Sequence, residues 1–169
     1  MSLPDAQNDY VQRVILRTCS FYEVRLLATV EVTGIVGKDS VVCDVGANIG
    51  NHTIYFGTVM GAAKVLAFEP QAHCHETPCA NIALNGLEDR VDEAVDSNDL
   101  ARLDLIKIDV EGMQMAVLAG ATGILEQRRP ALWIELLARA GMADQATTFL
   151  AKFGYKPSPI GLNDVIFRV

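Results

Sequence analysis

Residues 41–53 read VVCDVGANIGNHT, and the reading of the whole chain follows from them. Val41, Val42 and Cys43 form the short continuous apolar run of a strand buried on both faces, the usual pattern in parallel sheets. Asp44 closes that run. Gly46 and Gly50 then permit a tight turn and let backbone N–H groups approach a ligand with no Cβ in the way. Asn51 and Thr53 open the following helix, whose N-terminus favours negative charge. Strand, glycine turn and helix together are a common cradle for nucleotide-like cofactors.

The chain around this stretch suits one α/β domain. Its 169 residues can bury about two thirds of the surface of the unfolded chain, and half of them are hydrophobic, with mean hydropathy +0.22. A net charge of −7 argues against nucleic acid as a partner, since phosphate binding calls for a basic face. Arg128–Arg129 is the only adjacent basic pair. No apolar run reaches the ~18 residues of a membrane span, and the first ten residues, MSLPDAQNDY, lack the pattern of a secretory signal. Cys19, Cys43, Cys74 and Cys79 accordingly read as reduced thiols, with a cytoplasmic address. There is no internal repeat.

Before the strand, residues 1–9 read as loose and residues 10–36 as helical packing, with a helix near 22–32. Glu23 is expected on its solvated side. After the turn, residues 51–61 read as a helix and Lys64–Glu69 (KVLAFE) as a second strand, stopped by Pro70. Glu69 lies 23 residues beyond Gly46, close to the ~20 expected of a carboxylate that holds both ribose hydroxyls. A helix then starts with Thr77 as N-cap and Pro78 at its first position, and finishes at Asn85–Gly86. His73, Cys74, His75 and Cys79 match no common closed zinc spacing, so no metal is expected. Leu103–Val110 is a third confident strand, ending in Asp109, Glu111 and Gly112. Asp109 or Glu111 could equally serve the start of the next helix, Met113–Gln127. Ala131–Leu137 is a further strand, in which Glu135 should face a cleft or a cation. Gly141–Phe153 is the last helix, and Tyr155–Ile160 with Asp164–Val169 forms a terminal hairpin.

Asp44, Glu69 and Asp109 thus each close a strand in a βαβ succession. Right-handed crossovers bring the three ends to one edge of the sheet. A nicotinamide site would show G-x-G-x-x-G, and a Walker loop Gly-Lys-Ser/Thr. The chain has neither. Five motifs in order, DVGANIG (44–50), AFEP (67–70), NIALNGL (81–87), LIKIDVEG (105–112) and PALWIEL (130–136), resemble the FkbM family. These are S-adenosylmethionine-dependent methyltransferases of the class I, seven-stranded Rossmann-like fold. The resemblance covers roughly residues 20–169, leaving 1–21 as an N-terminal extension and 22–169 as the methyltransferase domain.

The resemblance implies a mostly parallel sheet with a C-terminal antiparallel hairpin and S-adenosyl-L-methionine as cofactor. It implies cofactor binding by Asp44, Gly46, Asn48, Gly50, Asn51, Thr53, Glu69, Pro70 and Asp109. Asp109 and Glu111 would lie at the methyl-transfer centre, with O-methylation of a sugar or other small molecule as the activity. In-line transfer chiefly needs alignment. An acceptor hydroxyl would be helped by a base, for which Asp109 and Glu111 are the candidates and His52 the ordinary helix residue. Only residues 88–102 separate NGL from the strand Leu103–Val110, so the third strand is expected to be shortened or missing. Val91, Glu93 and Val95 could form a vestige of it. Without such a strand, Lys64–Glu69 would be an exposed sheet edge open to a homodimer. The alternatives are a reduced cofactor-binding or interaction module on the same fold and, more distantly, a nicotinamide oxidoreductase.

Overall fold

A computed structural model describes residues 1–70, 76–92, 102–136 and 141–169. Seven strands form one sheet in the order β3-β2-β1-β4-β5-β7-β6. They are β1 (Val41–Val45), β2 (Lys64–Phe68), β3 (Val91–Asp92), β4 (Leu105–Ile108), β5 (Ala131–Glu135), β6 (Lys156–Pro159) and β7 (Asp164–Arg168). The first five run parallel, and β7 pairs antiparallel with both β5 and β6. The expected Rossmann-like sheet with its antiparallel finish is what the chain forms. Among the described residues the third strand is Val91 and Asp92, which pair with Val65 and Leu66, so β2 is covered there. Glu93 and Val95 lie outside the described residues.

Strand residues alternate between two apolar layers. Val42, Val65, Ala67, Leu105, Trp133 and Ile166 pack on one face with α2 (Val24–Val32), α3 (Asn51–Thr58) and α4 (Glu76–Leu84), through Leu27, Val30, Ile54, Phe56 and Ile82. Cys43, Leu66, Ile106, Ile108, Leu132, Ile134 and Phe167 pack on the other. There they meet Leu118 of α5 (Gln114–Gly120), Leu125 of α6 (Thr122–Gln127) and Leu150 of α7 (Met142–Ala151). Among the described residues no helix is long and apolar enough to cross a membrane.

Several expected boundaries shift. Residues 113–127 form two helices, because Ala121 leaves the helical region (φ −83°, ψ 1°) as the last cap of α5 and the first of α6. Leu118 and Leu125 stay buried on one side across the break, so apolar spacing could not reveal it. The helix after the glycine turn ends at Thr58, ahead of the left-handed turn at Gly61. α4 begins at Glu76, which places Thr77 inside it and Pro78 in its first turn. Its predicted finish is present: Gly86 has φ 62°, and Leu87 N–H closes on Ile82 O at 3.2 Å. The N-terminus adds α1 (Tyr10–Thr18), capped by Asp9. The residues before it are tied down at one point, where Asn81 Nδ2 donates to Ser2 O (3.2 Å) and to Ile49 O (2.9 Å).

Candidate active site

The sheet order reverses between β1 and β4, and the C-terminal ends of strands at such a switch point are where open α/β sheets bind ligands. The glycine turn lies there. Gly46 (φ 87°), Asn48 (φ 50°) and Gly50 (φ 83°) are left-handed, a conformation that costs glycine little and asparagine less than most residues. A Cβ on Gly46 would stand 1.8 Å from the carbonyl oxygen of Asp109. The need for glycine at 46 is therefore met by β4 packing against the turn, and ligand approach is not required to explain it.

The turn's amides are already engaged. Gly46 and Ala47 N–H both donate to Phe68 O (2.8 and 3.1 Å), and Gly50 N–H to Ala47 O (2.8 Å). Asn48 N–H donates to Glu69 Oε2 (2.9 Å). The turn is thus knitted to the end of β2, with the half-buried Glu69 carboxylate at its mouth and Pro70 exposed beside it.

Other expected cofactor residues turn inward. The Thr53 hydroxyl donates to Asp44 Oδ2 (2.7 Å), and Asp44 is fully buried. The Asn51 amide clips the chain ahead of α2, accepting from Tyr22 N–H (2.9 Å) and donating to Tyr22 O (3.2 Å). These three side chains brace the turn from behind.

The side-chain period of two and the strand register assemble a second group on the α2–α3 face. Asp44 lies beside Lys107, Lys107 beside Trp133, and Glu135 beside Asp164. Asp109, two residues past Lys107, falls next to Glu135. Lys107 is buried, with Nζ 3.5 Å from Asp44 Oδ1 and 3.3 Å from Asp109 Oδ2. Burial pushes its pKa down, but the two carboxylates outweigh that and raise it. Asp109 is likewise pushed up by burial, and the charge of Lys107 brings it net below the usual carboxylate range. Glu135 goes the other way. Burial first, then its hydrogen bond to Asp109 and the charges of Asp109, Asp164 and Glu23, raise it to about 8. Of the expected cleft or cation, the described residues place no cation in an ion pair with Glu135, which is half-buried. Lys107 serves Asp44 and Asp109, and the strand register sets Glu135 beside the Asp109 carboxylate.

Above this group His52 lies edge-on to Trp133 at 5.3 Å. Burial, then Lys107, lowers His52 to about 3. Its Nε2 is 3.5 Å from Glu23 Oε2 but makes no hydrogen bond, and burial raises Glu23. Desolvation drives both groups toward their neutral forms, so the contact is not a strong ion pair. Glu23 is half-buried and left-handed (φ 54°) at the cap of α2, not the solvated helix residue expected. Trp133 Nε1 donates to Asp164 Oδ1 (2.8 Å).

Glu111 is exposed and left-handed (φ 44°), outside this network, and neither it nor Asp109 caps α5, whose cap residue is Met113. Cys79 is exposed, while His73, Cys74 and His75 lie outside the described residues. Sequence reasoning passed over Lys107, His52 and Glu23 as site residues. Lys107 carried a readable signal, a charge within an otherwise apolar buried strand. Glu23 and His52 carried none, because helix packing brings them together.

Comparison with known proteins agrees with this geometry. Residues 90–157 match the Methyltransferase FkbM domain. That range holds the LIKIDVEG and PALWIEL strands, and the glycine turn precedes it. An FkbM methyltransferase from Methylobacillus flagellatus KT superposes with TM-score 0.66 at 17% identity, covering 79% of this chain and 44% of that one. The precorrin-6y C5,15-methyltransferase of Geobacter metallireducens GS-15 gives 0.64 at 18% identity over 86% of each chain. TYW2 from M. jannaschii, solved with AdoMet, gives 0.54 at 18% identity over 85% of this chain and 76% of that one. These structures share the class I methyltransferase fold with the chain. No curated protein sequence matches it.

Proposed function

We propose that the chain is an S-adenosylmethionine-dependent methyltransferase acting on a hydroxyl oxygen of a sugar or other small molecule. The observation that carries the choice of cofactor is how the turn is used. Its amides at 46, 47, 48 and 50 are occupied, and a carboxylate stands at its mouth. Those occupied amides are poor partners for a pyrophosphate, which seeks free N–H groups and positive charge. The turn suits a phosphate-free ligand with a ribose diol and a cationic sulfonium. The oxidoreductase reading therefore loses its chemical support.

Glu69 would hold the ribose hydroxyls, with Gly46, Asn48, Gly50 and Pro70 shaping the wall beside it. Asp44, Asn51 and Thr53 would keep that wall in place. The cofactor supplies an already activated methyl group, which leaves the protein to align the acceptor and accept its proton. Asp109 would lie at the methyl-transfer centre, and Glu111 would approach from the exposed rim. The domain from 22 to 169 would carry all of these residues. The net charge of −7 supports a small-molecule acceptor over nucleic acid.

A second reading, a cofactor-binding module without turnover, draws on the short, mostly polar stretch between NGL and LIKIDVEG, which leaves little chain to flank the adenine side. Among the described residues β2 is paired along its outer edge only at Val65 and Leu66, which also supports a homodimer there, to be checked by sedimentation. Calorimetric titration with S-adenosylmethionine and S-adenosylhomocysteine tests the main reading. Saturable binding of both, weakened tenfold or more in Glu69→Ala, is expected. No heat from either at millimolar ligand would overturn it. Labelled methyl transfer to a panel of sugars then separates turnover from binding alone.

A further inference from the structure

The β4–β5 register sets the Asp109 and Glu135 carboxyl groups side by side, and Glu135, raised to about 8, carries a proton at pH 7 that has no assigned task in the binding scheme above. The carbonyl of Asp109 lies against Gly46, so whatever the turn cradles is a near neighbour of the carboxyl pair. Lys107 lies beneath the pair, buried and committed to Asp44 and Asp109. Asp109 and Glu135 are both half-buried, so they form the open rim of an otherwise closed cluster. We propose that the Asp109–Glu135 pair discharges its proton when a sulfonium is seated in the glycine turn, freeing Glu135 to take the acceptor's hydroxyl proton. This rests on the cofactor proposed above.

The electrostatics support it. Glu135, near 8, is mostly protonated at pH 7. The groups facing it are Asp109 and Lys107 from β4, Asp164 from β7, Tyr22 and Glu23 ahead of α2, and His52 of α3. Tyr22 is raised to about 12, by burial and then by nearby carboxylates, and His52 is neutral at pH 7. Among the described residues that face Glu135, Lys107 is thus the one cation, and Asp109 and Asp44 engage it. A second positive charge close by lowers a carboxyl's pKa by about two, enough to turn Glu135 from mostly protonated to mostly ionised. Glu135 then accepts the hydroxyl proton as the carbon–oxygen bond forms and the carbon–sulfur bond breaks, its electron pair remaining on sulfur. The pair ends reloaded with one proton, to be released when the next methyl donor binds. The base would be unmasked only when a methyl group is present to transfer.

The test is calorimetry at pH 7 in buffers of different ionisation enthalpy, which counts protons released on binding. S-Adenosylmethionine should release more than S-adenosylhomocysteine, whose sulfur is uncharged, by a large fraction of one proton. That excess should vanish in Glu135→Gln and survive in Glu126→Gln, on the exposed side of α6. In the unmodified protein it should also vanish above about pH 9, where the pair has already lost its proton, a readout that does not depend on any variant folding. Equal proton counts for the two ligands, or an excess unchanged in Glu135→Gln, would overturn the proposal while leaving the cofactor assignment intact. Absence of binding by either ligand would instead remove the cofactor assignment and this proposal with it.

Discussion

The two faces of the sheet are built on opposite terms. Toward the C-terminal ends of β1, β4 and β5 and the N-terminal start of β7, the face covered by α5–α7 carries Val45, Ile108, Val110, Ile134 and Val165, all apolar. One residue over along each strand, the opposite face carries Asp44, Lys107, Asp109, Glu135 and Asp164. Identical backbone supports both, and a shift of one residue exchanges them. The apolar face contributes burial that does not depend on pH. The polar face places charges in low dielectric, where each must be held by another, and it adjoins the glycine turn. The site is therefore the face on which the sheet gives up simple packing.

Substitutions that unpair the polar face should show the largest difference. Lys107→Met leaves Asp44 fully buried with Oδ1 lacking its cation, and breaking such a pair costs about 3–5 kcal/mol. Adding Asp44→Asn should recover part of that loss, giving a coupling of the two sites in a double-mutant cycle. Leu118→Ala on the other face can cost as much, about 2–5 kcal/mol, but with no recovery from either polar change. Urea unfolding of the five proteins distinguishes the two behaviours. Additive losses at 44 and 107 would mean that the ion pair is not the unit of stability.

Next in size is the same substitution made twice. Gly46→Ala puts a Cβ 1.8 Å from Asp109 O and demands φ near 87° of an alanine, for about 3 kcal/mol or more in strain and overpacking. Gly123→Ala, in α6 with nothing within 4 Å of the new Cβ, should stabilise by about 0.5–1 kcal/mol from helix propensity. Urea midpoints moving in opposite directions are expected. Ligand affinity lost in Gly46→Ala would consequently report a displaced β4 as much as a blocked cradle.

Much of this architecture was legible in the sequence because it rests on short-range rules. Apolar runs ending at Asp44 and Glu69 located β1 and β2, and the Asn85–Gly86 finish located the end of α4. The site was legible as positions but less so as orientations. Asp44, Asn51 and Thr53 occupy the turn as expected, yet which way they face depends on Lys107 and on Tyr22, the latter 29 residues away from Asn51. Likewise Glu135 could be recognised as a problem in an apolar strand. Its solution depended on register, since Ile108 pairs with Ile134 and so brings Asp109 alongside. Hydrophobic period reports which face a residue takes, not which partner it meets there.

A smaller effect sharpens the contrast through pH. His52 falls from its ordinary 6.5 to about 3 in the fold, so between those values the unfolded chain holds a proton that the native state refuses. Stability from this group is complete above pH 6.5 and declines as pH falls through the window, by about 2 kcal/mol at pH 5. Unfolding free energies at pH 7 and pH 5 should show that loss in the unmodified protein and lack it in His52→Gln. An equal loss in both would assign the acid sensitivity to other groups.

The smallest expected effect has the opposite sign and comes from the rim. Glu135 rises from 4.5 to about 8 on folding, so from pH 4.5 to 8 the native state holds a proton that the unfolded chain has released. The sign follows directly: with more protons bound in the native state, stability falls as pH rises through that window, and the loss is complete above about 8. Partial exposure of the side chain to solvent screens the effect. Asp109, shifted downward, gives its full contribution throughout the same range and adds no slope. Glu23 and Asp164, also raised, slope the same way, so only the difference between Glu135→Gln and the unmodified protein isolates Glu135. Melting temperatures at pH 5, 6.5 and 8 should decline less with pH in the variant. Parallel declines would mean that Glu135 ionises normally in the fold, and the polar face would then hold separate ion pairs in place of a network with one mobile proton at its edge.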